Sequence, residues 1–188
     1  MAIRPGPNVN GVWISPVPEL ITGDLKVWAY AADISPARIP GYWMNKDNSA
    51  IDVTFSPTAG QKVLLSFHGG DYISNSAHPK DIASNLVRSI LKSANDSVRL
   101  AFSVEYRLST TYPHTPSNPF PTALIDALAG YSYLVNEKGF LPQDIIVEGD
   151  SCGGNLALAL TRYLVEYQHT TIPNFPAPPG ALLLLSPW

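Results

Sequence analysis

At 188 residues the chain is long enough for one domain with a sizeable core. Apolar residues make up 45% and charged residues 14%, a balance that excludes an intrinsically disordered chain. The formal net charge is −3 without a basic stripe, which argues against a nucleic-acid partner, and the single cysteine, Cys152, excludes an intrachain disulfide.

The first residues, MAIRPGPNVNG, lack the apolar stretch of a signal peptide. No uninterrupted apolar run approaches the roughly 18 residues of a membrane-spanning helix. If Met1 is the true start, these features imply a cytoplasmic protein. Residues 1–60 are rich in proline, glycine and aromatics, among them Trp13, Trp28, Tyr42 and Trp43. They read as an irregular lead-in to the same domain, with short strands expected at 27–31 and 51–55.

From Gln61 onward strands and helices alternate. Residues 63–67 form a short apolar run suited to a strand buried on both faces. A helical pattern follows, with Ile82, Leu86 and Ile90 on one face and Val87 and Leu91 beside them. Residues 98–105 read as a second strand. A helix begins near Pro121, a residue suited to the first helical position, and carries the stripe Leu124, Leu128, Tyr131 and Val135. Lys138-Gly139 is its stop signal. A third strand at 145–147, a helix at 155–167 and a fourth strand at 181–185 complete the series. This alternation predicts a mostly parallel, doubly wound α/β sheet, whose reactive groups belong at the carboxyl ends of the strands.

At one such end stands Gly149-Asp150-Ser151-Cys152-Gly153, followed by Gly154. This is G-x-S-x-G between an expected strand and an expected helix. A nucleophilic serine needs a tight turn that pushes its hydroxyl off the sheet, with glycines where neighbouring backbones pass. His68-Gly69-Gly70 follows the strand at 63–67 in the same way. Paired glycines let backbone N–H groups approach a carbonyl oxygen that gains charge during acyl transfer.

These motifs resemble the hormone-sensitive-lipase branch of the α/β-hydrolases. The correspondence runs through His68-Gly69-Gly70-Asp71-Tyr72, Glu105-Tyr106-Arg107-Leu108, Pro119-Phe120-Pro121-Thr122-Ala123-Leu124, the 149–154 elbow and Ser186-Pro187-Trp188, and covers residues 61–188. The resemblance implies an α/β-hydrolase fold and a carboxylic-ester hydrolase working through an acyl-enzyme on Ser151. It makes the N–H groups of Gly69, Gly70 and Cys152 the oxyanion hole. His68, Gly149, Asp150 and Gly153 support the motifs, with His68 holding the loop. The implied substrate is a small ester or a lipid ester, and neither cofactor nor metal is called for. Asp71 stands where the family has a third glycine, and is expected to point away. Cys152 stands where the family has alanine.

In this fold the triad acid and histidine follow the serine. After Ser151 the sequence offers only His169, read as a surface residue; His78, His114 and Asp126 read as structural, and Glu166 is given no catalytic role. Residues 61–188 therefore read as a partial catalytic domain, truncated at its C-terminus and expected to be weak or inactive alone. Two other readings stay open: a non-catalytic hydrolase-like binding module, and a peptidase or acyltransferase on the same scaffold.

Overall fold

The centre of the fold is the apolar run expected at 63–67, which forms β3, Lys62–Phe67, in a computed structural model that describes residues 2–94, 96 and 98–188. Around it, among the described residues, lie β1 (Asn10–Ile14), β2 (Ile39–Asn45), β4 (Val98–Val104), β5 (Ile145–Asp150) and β6 (Ala181–Leu185). They join in one sheet of order β1-β2-β4-β3-β5-β6. From β4 to β6 all pairings are parallel, while β2 runs antiparallel to β4 and β1 antiparallel to β2. The chain therefore has the mostly parallel sheet that its alternating strands and helices predict, with antiparallel pairing at one edge.

Helices cover both faces. The helix α1 (Gly23–Ala31) lies in the lead-in, α2 (Ser84–Ser93) links β3 to β4, α3 (Thr122–Ser132) links β4 to β5, and α4 (Cys152–Tyr167) links β5 to β6. Val87 and Leu91 of α2 pack on Met44, Leu64, Val98 and Ala101, making a small core on one face. The larger core, on the other face, gathers α1, α3 and α4 around Trp43, Phe102 and Tyr131. Burying apolar area at about 25 cal/mol per Å² makes this second face the main source of stability.

Four expectations need correction. Residues 27–31 are the second half of α1, not a strand: Leu25 and Ala29 are buried while Val27 and Tyr30 are exposed, a helical spacing that alternation does not fit. Residues 51–55 alternate in burial but pair with no strand. Instead the Asp52 carboxylate accepts the amide and hydroxyl of Thr54 at 2.9 and 2.6 Å, folding a turn, and the Lys138 ammonium takes the carbonyls of Val53 and Phe55. The buried side of α2 is Ser84, Val87 and Leu91; Ile82 lies before the helix and is exposed. The lead-in is also more regular than expected, since it supplies β1, β2 and α1. In β2, Gly41 leaves room for the Phe102 ring, which would come within 2.2 Å of a Cβ there.

The helix expected from Pro121 begins at Thr122, and all of 124–132 is buried, so the whole circumference rather than a stripe faces protein. It widens into a π-turn at Tyr133–Glu137. The Lys138 amide bonds back to the Tyr133 carbonyl, and Gly139 takes a left-handed φ of 83°, which ends the helix where its sequence signal stands.

Candidate active site

The turn between β5 and α4 holds Ser151 at φ 52° and ψ −119°, a conformation that a residue with a Cβ adopts only under constraint, at about 1–3 kcal/mol. Its constraints are visible. The Ser151 amide donates to the Leu185 carbonyl of β6 at 2.9 Å, and its carbonyl accepts from Asn155 at 3.1 Å and Trp188 at 3.3 Å. Below the turn, Gly149 and Gly153 let three backbones cross. A Cβ on Gly149 would lie 2.0 Å from the Gly153 carbonyl oxygen, and one on Gly153 would lie 2.0 Å from the Phe67 carbonyl oxygen of β3.

Gly69 lies against this elbow. Its Cβ position is 3.4 Å from Ser151 Cβ and 3.0 Å from both the carbonyl and a carboxylate oxygen of Asp150. Gly70 turns the loop with φ 112°, and Asp71 and Tyr72 follow at 56° and 62°. Asp71 is exposed to solvent. The loop is fastened from several directions. The Tyr72 amide donates to Cys152 Sγ at 3.3 Å, its hydroxyl donates to Asn155 Oδ1 at 2.7 Å, and the Asn75 amide group donates to the Gly69 carbonyl at 3.1 Å. Among the described residues the amides of Gly69, Gly70 and Cys152 donate to no protein acceptor. They sit on the two strand ends that meet at Ser151, and Cys152 adds the positive end of a long helix.

His68 is buried and neutral. Burial holds its imidazole below the ordinary histidine range. Its Nδ1 lies 2.8 Å from the Gly69 carbonyl, which can only accept, so Nδ1 carries the proton. The Tyr106 ring stacks on the imidazole, and the Tyr106 hydroxyl donates to the His68 carbonyl at 2.6 Å. The remaining nitrogen, Nε2, has no hydrogen-bond partner among the described residues; the imidazole lines a small cavity under α2 with Ser66, Ser76, Ser84 and Ser103.

The other histidines are engaged elsewhere. His78 contacts the Arg4 carbonyl through Nε2 at 3.2 Å and receives the Lys80 amide on Nδ1 at 3.1 Å. His114 and His169 are exposed. Among the described residues no imidazole bonds to Ser151. Asp126 is committed to Arg107, accepting its amide and guanidinium at 2.8–3.2 Å. Glu105 caps the loop after the glycine turn, accepting from the Ser76 hydroxyl and the Ala77 amide. Glu166 lies near the far end of α4. No His, Cys, Asp and Glu cluster among the described residues has the form of a metal site.

Sequence reasoning left four neighbours without a role: Tyr72, Tyr106, Asn155 and Trp188. Asn155 was open to discovery, because it stands one helical turn after Ser151. Trp188 was not, because its amide reaches Ser151 only through the docking of β6.

A family model described as the alpha/beta hydrolase fold matches residues 64–188. An esterase of Acinetobacter venetianus is 40% identical over 77 residues, which are 41% of this chain and 23% of that protein. An acetyl-hydrolase of Streptomyces hygroscopicus is 31% identical over 127 residues, 68% of this chain and 36% of the relative. The chain thus spans about a quarter to a third of the length of these relatives. Among solved structures, an esterase from the bacterial hormone-sensitive lipase family has a TM-score of 0.54 and 28% identity, over 80% of this chain and 41% of that one. EstE5, from a crystal soaked with p-nitrophenyl butyrate, has a TM-score of 0.57 and 25% identity, over 96% and 45%. The elbow, the glycine loop and these likenesses agree: the chain belongs to the α/β-hydrolase fold family, in its hormone-sensitive-lipase-like branch.

Proposed function

We propose that Ser151 is the nucleophile of a carboxylic-ester hydrolase and that Gly69, Gly70 and Cys152 form its oxyanion hole. The observation that carries this reading is the strained turn at Ser151 with the unengaged amides of the glycine loop beside it. Strain held by surrounding hydrogen bonds has a use when it fixes a reactive group. In the reaction Ser151 Oγ attacks the ester carbonyl and loses its proton to a base. The C–O bond to the alcohol breaks, and the alcohol leaves with that proton. Water then attacks the acyl-serine, giving the acid and restoring the hydroxyl. His68, Gly149, Asp150 and Gly153 shape and hold the loops without touching the reacting atoms. An ester substrate also fits the names of the relatives, an esterase and an acetyl-hydrolase.

No histidine described here serves Ser151 as base, so the 188-residue chain alone should turn over esters weakly. Loss of the base from a serine triad costs on the order of 10⁶ in turnover number. The test is incubation with p-nitrophenyl acetate followed by mass spectrometry of the peptide carrying Ser151. We expect slow acetylation that Ser151→Ala removes. An adduct that persists in the variant would sink the assignment of the nucleophile. Rapid turnover that disappears on mutating His78 or His114 would place the base within these residues. The same absence of an imidazole supports a second reading, a non-catalytic binding module, which predicts no adduct.

A further inference from the structure

The glycine loop runs through three consecutive residues of left-handed backbone, Gly70, Asp71 and Tyr72, at φ 112°, 56° and 62°. Only the first is a glycine. Asp71 and Tyr72 each carry a Cβ that disfavours this conformation, so the loop is held by its bonds rather than by its own preference. Those bonds gather at Tyr72. Its amide donates to Cys152 Sγ at 3.3 Å, and its carbonyl accepts from the Ser109 amide at 2.8 Å. Sulfur is a weak acceptor, and Ser109 belongs to the chain that leaves β4, not to the serine turn. The third bond crosses to α4: the Tyr72 hydroxyl donates to Asn155 Oδ1 at 2.7 Å.

Asn155 is half-buried, one helical turn after Ser151. Its Nδ2 donates to the Trp188 carbonyl at 3.3 Å, and the Trp188 amide donates to the Ser151 carbonyl at 3.3 Å. These partners fix which way the side-chain amide faces, since the Trp188 carbonyl can only accept. One carboxamide thus joins the three segments that meet at Ser151, namely the glycine loop, the first turn of α4 and residues 186–188. Aspartate would lack the N–H for this, and leucine both polar atoms.

We propose that Asn155 is a positioning residue, which through Tyr72 holds the glycine loop in place against Ser151; this rests on the reading of Ser151 given above. Magnitudes separate this role from a plain contribution to stability. Loss of one half-buried hydrogen bond should move the melting midpoint of a chain this size by less than about 5 °C. The placement of N–H donors beside a reacting carbonyl is far more sensitive, because a displacement of about 1 Å costs on the order of a hundredfold in rate. The bond therefore governs where the loop stands more than whether the chain folds.

The variants are Tyr72→Phe, which keeps the ring and removes the hydroxyl, Asn155→Leu, which removes both amide atoms, and the two combined, all in the 188-residue chain. Acetylation of Ser151 by p-nitrophenyl acetate is followed by mass spectrometry over a range of ester concentrations. We expect the limiting rate to fall about ten- to a hundredfold in each single variant, with the half-saturating ester concentration unchanged. The double variant should be no slower than the slower single one, because both changes remove the same link. Hydrogen exchange of the peptide 69–75 reads the loop without any reaction and should quicken roughly tenfold in each variant. Tyr72→Phe decides alone should Asn155→Leu fail to fold. Unchanged exchange overturns the proposal, and so do losses of rate that multiply in the double variant. A melting midpoint that falls by more than about 5 °C in Tyr72→Phe makes the bond a structural one and overturns it as well. An adduct in the parent with rates in the variants within about twofold of it sinks the positioning role alone. Faster exchange with no adduct on Ser151 in any chain leaves Asn155 holding the loop and sinks the hydrolase reading.

Discussion

Tyr106 lies nearly flat on His68, with ring centroids 4.3 Å apart and planes 16° from parallel, and its hydroxyl donates to the His68 backbone carbonyl at 2.6 Å. The histidine that opens the glycine loop is thereby clamped from its face and from its main chain. Tyr106→Phe keeps the stack and removes the donor. The buried carbonyl then loses its strongest partner, and we expect a loss of about 1–3 kcal/mol in urea denaturation. A change within the few tenths typical of a surface site would mean that the hydroxyl does not hold the loop.

The elbow stores strain that substitution can release or worsen. Ser151→Gly removes the Cβ at φ 52° and should stabilise the fold by about 1–2 kcal/mol while ending any acylation. Gly153→Ala should do the opposite, because its methyl would meet the Phe67 carbonyl at 2.0 Å and the backbone of α4 or of β3 must shift; we expect a loss of at least about 3 kcal/mol. Thermal melts of the two variants should bracket the parent chain. If both fall on the same side of it, the turn is not strained as described.

Glu148 gives the fold a pH dependence. It faces the same side of the sheet as its register partner Ser66 on β3, and Ser66 in turn pairs with Ser103 on β4. Neither carboxylate oxygen has a hydrogen-bond partner among the described residues. Burial pushes its pKa from 4.5 up to about 7, against the opposing pull of the nearby Ser66 hydroxyl and with the Asp150 charge adding to the rise. Within that window the folded carboxyl holds a proton that the unfolded one has lost, so stability declines as pH rises. The contribution is full below 4.5 and gone above about 7, and amounts at most to the order of 3 kcal/mol. Glu148→Gln should flatten urea midpoints across the window and raise them on its alkaline side. Parallel pH profiles for parent and variant would remove Glu148 as the source.

The sheet ends on one side at β6, whose far edge pairs with no strand among the described residues, and Leu182 and Leu183 are exposed there. An uncharged apolar edge is a template for another strand. The 188-residue chain should therefore associate in a concentration-dependent way on size-exclusion chromatography. Leu183→Lys should shift it toward the monomer. A parent chain that elutes as a monomer at all concentrations would count against exposure of this edge in solution.

The parallel half of the fold was legible because short apolar runs, proline before a helix and glycine after one each have a local cause, as at Lys62–Phe67 and Gly139. Ser151 and Gly69 were legible for the same reason: tight turns demand particular residues. The lead-in was not. Leu25 and Ala29 are buried by α4 and the core, not by any periodicity strong enough to see in nine residues, and Pro40-Gly41 hides a strand that is regular only because Trp13 and Val104 flank it. The roles of Tyr106 and Glu148 were hidden too, since each depends on residues dozens of positions away.

The bonds that fix Ser151 have an order in time. Two of them come from Leu185 and Trp188, which leave the ribosome well after the serine does. While β5 and α4 have emerged and β6 has not, nothing from that side holds the turn, and a strained backbone without its restraints relaxes. The nascent chain then carries an ordinary serine hydroxyl at a loose glycine-rich bend. The geometry on which the proposal for Ser151 rests is acquired in the same event that docks β6 beside β5, so the pairing of that strand and the shaping of the turn are one step.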